Sequence, residues 1–198
     1  MAKKPPDHDA LYHLAEEQAG YFTARQAARA GFSGERLADY SKNGRFQRVA
    51  HGVYRLTQFP SSRFEDLFVA WLKCGPVSAI SHESALALYD LSDVLPGEIH
   101  VTIPRTASHR RKGIRLHTNR LPSTDVVERE GLRVTSVPRT IADVARAGLS
   151  EDHVSLAIRE ALDRGLTTSQ VLLVEAKHRG GRAARLIKSY LNSSKGHS

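Results

Sequence analysis

Between Gly20 and Leu56 the chain reads GYFTARQAARAGFSGERLADYSKNGRFQRVAHGVYRL, and this stretch limits the possible folds more than any other. Thr23 is a good N-cap for a helix over Ala24 to Ala30, rich in Ala and Arg. Gly31 ends that helix. Ser33 caps a second one, which runs to about Asn43 before Gly44 stops it. Phe46, Val49, Val53, Tyr54 and Leu56 then suit two short strands around a turn at His51-Gly52. Helix, turn, helix and β-wing predict a winged helix-turn-helix whose second helix would lie in a DNA major groove.

Charge points the same way. No Asp or Glu occurs between Tyr40 and Phe64, while Lys42, Arg45, Arg48, Arg55 and Arg63 do. In this reading Arg36 reads bases and Ser33 meets a phosphate at the helix N-terminus, while Lys42, Arg45, Arg48 and Arg55 neutralise phosphates. The bland alternative is a helical hairpin with a solvated basic edge. Over the whole chain, 29 Lys and Arg against 21 acids give a formal charge of +8, which favours a polyanionic partner. Two further segments are free of acids: Arg105, Arg110, Arg111, Lys112, Arg115 and Arg120 in one, and Lys177, Arg179, Arg182, Arg185, Lys188 and Lys195 in the other. Each reads either as a solvated surface or as a face for a partner.

Single Cys74 excludes an internal disulfide and a multi-cysteine zinc site; its FVAWLKCG context suggests a core thiol. The N-terminus lacks the apolar stretch of a signal peptide, and LFVAWL is too short to span a bilayer, so no membrane partner and a cytoplasmic location are expected. Residues 1–7 read as a disordered tail. A helix from Asp9 with Leu11, Leu14, Ala15 and Ala19 on one face would complete the winged module. Phe59-Pro60-Ser61-Ser62 reads as a linker.

From Arg63 the pattern changes. Phe64, Leu67, Phe68, Trp71 and Leu72 share a helical face; Ser78 or Ser81 caps a helix carrying Ala85, Leu86, Leu88 and Tyr89. Ile99, Val101 and Ile103 alternate as in a strand, with a further strand suggested by Ile114, Leu116 and Leu121 and a third at Leu132 to Val134. Ser136 and Pro138 start a helix with Ile141, Ala142, Val144 and Ala145, and three more helices are expected at about 151–163, 168–177 and 181–191. Of the ten histidines, His82, His100, His109 and His117 fall between residues 82 and 117 of this part, without HExxH spacing, so structural or solvent-facing roles are the better reading. Neither a phosphate loop nor a nucleophile elbow is present. No metal, cofactor or catalytic residue is therefore expected, and the protein is not read as an enzyme. Arg139 and Asp143, four apart on one helix, form either a surface pair or a partly buried pair fixing that helix to the sheet.

Four segments together, FTARQAARAGFSGERLADYSKNGRFQRVAHGVYRL, ISHESALALYDLSD, EIHVTIPR and GLRVTSVPRTIADVA, resemble the AbiEi family of antitoxins over roughly residues 10–147. That family is the antitoxin half of AbiE-type (type IV) toxin–antitoxin pairs. The resemblance implies a mixed α/β (α+β) protein with a winged helix-turn-helix at 8–58 and a C-terminal α/β antitoxin domain at 63–198. It further implies binding of operator double-stranded DNA, autorepression, and neutralisation of a cognate nucleotidyltransferase-like toxin. Arg110, Arg111, Lys112, Arg182 and Arg185 are the candidate toxin or RNA surface. Similar front halves also precede Vsr-like endonuclease domains, which would be expected to begin about where this chain stops. The competing functional reading is a stand-alone winged-helix transcriptional regulator with a ligand-sensing or dimerisation domain.

Overall fold

The computed structural model describes residues 5–103 and 112–194, and the chain forms two compact units. One comprises Met1–Pro76 and Glu128–Leu132, the other Val77–Val127 and Arg133–Ser198.

In the first unit the order is α1 (His8–Glu16), β1 (Tyr21–Thr23), α2 (Ala24–Arg29), α3 (Gly34–Lys42), β2 (Phe46–Ala50), β3 (Val53–Leu56) and α4 (Glu65–Cys74). Of the expected tail, residues 1–4 lie outside the described residues, while Asp7 caps α1 by accepting from the Ala10 N–H at 2.9 Å. Ala19 lies past the end of α1 with a positive φ, so it does not extend the apolar face of Leu11 and Ala15. β1 was not expected. It pairs antiparallel with β3, which pairs with β2, giving the order β1-β3-β2. Ala50 opposes Val53, so His51-Gly52 is a two-residue hairpin loop, with Gly52 at positive φ. The core holds Leu11, Ala15, Phe22, Ala27, Phe32, Leu37, Phe46 and Leu56, with Phe22 edge-on to Phe46 at 5.2 Å. Burying each Phe is worth about 1.5–3 kcal/mol, so this cluster outweighs any single cap in holding α2 and α3 on the sheet.

The supposed linker is tied down. Phe59 packs against the core, and the Ser62 N–H donates to the Tyr21 hydroxyl at 3.1 Å. Tyr21 in turn donates to Glu65 and stacks on Phe68 of α4 at 4.8 Å. Cys74, expected in the core, is half-buried at the end of α4.

In the second unit, β4 (Ala79–Ile80), α5 (His82–Tyr89), β5 (Ile99–Ile103), β6 (Ile114–Thr118), β7 (Val126–Arg129) and β8 (Leu132–Thr135) build a sheet of order β6-β5-β4-β8-β7. β4 runs antiparallel to β5 and parallel to β8, while β5 and β6 are parallel. Four helices follow: α6 (Val137–Ala147), α7 (Glu151–Asp163), α8 (Ser169–Arg179) and α9 (Gly181–Ser194). α6 presents Ile141, Ala142, Val144 and Ala145 inward. Among the described residues, no helix is long and apolar enough to cross a membrane. The fold is mixed α/β, as expected.

Candidate nucleic-acid interface and a histidine cluster

The helix-turn-helix is set by its caps. The Thr23 hydroxyl accepts from the Gln26 N–H at 3.1 Å while the Gln26 side chain accepts from the Thr23 N–H at 2.7 Å, a complete capping box. Gly31, at φ +83°, turns the chain out of α2. Ser33 then caps α3 by accepting from the Arg36 N–H at 3.3 Å. Phe32 and Leu37 are buried and anchor the turn, so α3 exposes Glu35, Ala38, Asp39 and Lys42.

The expected contact residues fall into three groups. Lys42, Arg45 and Arg48 are exposed, running from the last turn of α3 into β2. Arg45 lies over the Tyr40 ring, 5.5 Å from its centroid, and Arg48 meets His51 at 3.1 Å beside the wing turn. Ser33 and Arg36 are half-buried, and the Arg36 guanidinium reaches back to the Gly31 carbonyl at 3.4 Å. Arg55 departs from expectation. It is only 8% exposed, and its guanidinium donates to the Phe59 carbonyl and the Gln47 side chain. Val53 and Arg55 lie two apart on β3, on the face opposite the core-facing Tyr54 and Leu56, and both are buried there, so the Arg55 guanidinium is engaged within the module. Sequence reasoning passed over Arg25 and Arg29, exposed one turn apart on α2, and the acids Glu35 and Asp39 on the outer face of α3.

Of the candidate partner surface, Arg110 and Arg111 lie outside the described residues, and Lys112 is exposed. Arg182 is not a free basic head: its guanidinium donates to the Ala145 carbonyl and, at 2.8 Å, to that of Leu149, closing the C-terminal end of α6. Arg185 is exposed and 3.4 Å from Glu151.

A family model described as "Transcriptional regulator, AbiEi antitoxin" matches residues 9–57, which are the described helix-turn-helix and wing. This module is similar to the AbiEi antitoxin family. A crystal structure of the RV2827C protein from Mycobacterium tuberculosis is similar in fold, with a TM-score of 0.55 and 12% identity over 92% of this chain and 75% of that one. No curated protein matches the sequence.

Beyond the AbiEi-type module, the second unit holds two buried polar groupings. Arg139, 1% exposed, donates to Asp143 at 2.6 Å and Asp125 at 2.5 Å; Arg179 donates to the same Asp125 and to Glu175. The pair therefore takes the buried alternative, and it links α6 and α8 to the turn before β7. Burial raises the Asp143 carboxyl above its ordinary value, outweighing the Arg139 charge beside it.

The other grouping is His82, His100 and His117, whose candidate ligand atoms all lie within 4.8 Å of one another. His82 opens α5, His100 sits on β5, and His117 on β6 opposes Thr102, so strand register brings together residues far apart in sequence. His82 and His117 stack at 3.5 Å, and His117 Nε2 is 3.3 Å from His100 Nδ1. Burial, then the neighbouring His117 and His100, pushes His82 down to about 2; burial and His100 push His117 down to about 4. Burial also lowers His100, against the pull of Glu83, so its 3.7 Å contact with that carboxylate is one of a neutral ring at neutral pH. A cavity of about 390 Å³ opens on His82 and His117 and is also lined by Asn119, Asp143 and Arg146.

Proposed function

We propose that the protein is an antitoxin that binds duplex operator DNA through its AbiEi-type module, represses its own operon and counteracts a nucleotidyltransferase-like toxin encoded beside it. The observation that carries DNA binding is the exposed series Lys42, Arg45 and Arg48, running off α3 onto the wing of a module that matches a transcriptional-regulator family. Ser33 sits at the N-terminus of α3, where backbone N–H groups attract a phosphate. Arg36 reaches a guanine by leaving its loose contact with Gly31, and Glu35 or Asp39 suits a cytosine amino group. Glu35 and Asp39 also repel phosphates, so they favour docking in which α3 enters the groove and the wing takes the backbone. No catalytic role is proposed for any residue.

Neutralisation is assigned to residues 63–198 and DNA binding to residues 8–58. Lys112 and Arg185 are the exposed described cations of the candidate toxin or RNA surface. Binding of the purified protein to its upstream DNA, measured across a salt series, tests the first part. Replacing Arg45 and Arg48 by Ala should weaken binding across sequences and flatten the log–log salt slope by about 2, near 0.9 per lost phosphate contact. Unchanged affinity removes the wing from the interface. Co-expressing the same full-length R45A/R48A variant with the neighbouring toxin tests the second part: protection should persist while operator binding is lost. Loss of both, with the variant folded, refutes the division of labour.

A further inference from the structure

We propose that His82, His100 and His117 form a binding site for one divalent late first-row transition cation, of which Zn²⁺ is the reference case. The site stands independently of whether the AbiEi-type module binds an operator.

Three features distinguish this cluster from histidines that merely pack. The first is distance. Two nitrogens at the tetrahedral angle on bonds of about 2.05 Å lie roughly 3.3 Å apart. His117 Nε2 and His100 Nδ1 are 3.3 Å apart, and His82 brings a third imidazole within 4.8 Å of both. The second is the support behind the rings. His82 Nδ1 lies 3.0 Å from the Ser81 hydroxyl, which is itself held by a 2.8 Å hydrogen bond from Thr102. His100 Nε2 faces the Glu83 carboxylate at 3.7 Å. In His82 and His100, two of the three rings, one nitrogen therefore meets an oxygen that can fix the tautomer, the arrangement that orients histidine ligands in metal sites. The third is backbone strain. His82 begins α5 at φ +51°, a left-handed conformation that a side chain adopts at a cost and that concentrates at functional positions.

The donor set selects the ion. Three imidazoles without a thiolate suit Zn²⁺, Cu²⁺ or Ni²⁺, whereas Mg²⁺ and Ca²⁺ require oxygen ligands. The cavity lined by His82, His117 and Asn119 leaves room for a fourth ligand from solvent. Among nearby cations, Arg139 is already matched by Asp125 and Asp143, Glu83 opposes Arg115 of β6 at His100, and Arg146 lines the same cavity as an exposed side chain. Loading requires the stacked His82 and His117 rings to splay, because parallel rings cannot both aim a lone pair at one centre.

The test is titration of the chelator-stripped full-length protein with Zn²⁺, followed by calorimetry and thermal unfolding, with Co²⁺ as the visible-absorption probe. One Zn²⁺ per chain, a raised Tm, a tetrahedral Co²⁺ spectrum and indifference to Mg²⁺ are expected. H117Q, on a half-exposed strand position, and H82Q should each weaken binding by at least roughly tenfold, while H51Q in the wing leaves it unchanged. Circular dichroism establishes that each variant is folded. Absence of Zn²⁺ binding by the folded wild-type protein overturns the proposal. So does binding that survives both H82Q and H117Q, which assigns the ion to surface histidines.

Discussion

Replacing Arg139 by Met tests what the buried ion network contributes. Met fills much the same volume with apolar atoms, but leaves Asp143, whose side chain is 5% exposed, without its only ion-pair partner among the described residues. Asp125 keeps Arg179 at 2.5 Å, so the loss concentrates on one carboxylate. Breaking a buried pair from one side costs about 3–5 kcal/mol, a large share of the ~5–15 kcal/mol that holds a domain together. At a urea m-value of about 2 kcal/mol/M, the midpoint of the second unit should fall by about 2 M. Trp71 is the single tryptophan and lies in the first unit, whereas α6–α9 dominate the helical signal of the second. Fluorescence and far-UV circular dichroism thus separate the two transitions, and only the latter should move. The pH dependence follows from Asp143, whose folded-state pKa is raised above its unfolded value. Below the unfolded value both states are protonated and nothing is lost. As pH rises toward the folded value, the unfolded state sheds its proton first and stability falls. Removing Arg139 raises the folded value further, so the penalty of R139M should grow with pH and shrink in mild acid. The double variant R139M/D143L should recover most of the loss. A penalty under about 1 kcal/mol at neutral pH, or one independent of pH, would refute the network's structural role.

Further outcomes follow from the first unit and the end of α6. Thr23→Ala removes one arm of the capping box and should cost about 1 kcal/mol in thermal or urea unfolding, with a weaker operator affinity as its consequence. Arg55→Ala, unlike Arg45→Ala, should lower the Tm of the AbiEi-type module while leaving the salt slope of DNA binding unchanged in protein that remains folded. Arg182→Ala frees the Ala145 and Leu149 carbonyls and should destabilise the second unit by roughly 1–3 kcal/mol, whereas Arg185→Ala should fall within about 0.5 kcal/mol.

Which of these features could be read from sequence depends on whether the deciding interaction is local. The caps at Thr23 and Ser33, the loop at His51-Gly52 and the helices over 151–163, 169–179 and 181–194 rest on neighbouring residues, and their sequence signals agreed with one another. β1 and β4 have three and two residues, too few for alternation to register, and exist because β3 and β5 supply their hydrogen bonds. Arg55 was not legible: alternation sets it opposite the core-facing Tyr54 and Leu56, and the packing of α4 on β1 and β3 is what buries that second face. Arg139 could not be resolved, since its second carboxylate, Asp125, lies 14 residues away on a turn the pattern did not reveal.

The histidines mark the limit most sharply. A helical motif such as HExxH shows itself because its ligands lie one turn apart, but His100 and His117 meet only because β5 and β6 run parallel with Thr102 opposite His117. One step of slip between those strands would turn His117 to the other face of the sheet and dissolve the cluster. The proposed cation site is therefore a property of register rather than of motif. The same logic makes the ion informative about folding: three ligands drawn from α5, β5 and β6 cannot assemble before that register forms, so Zn²⁺ should slow unfolding of the second unit while leaving the Trp71 transition of the first unit where it was.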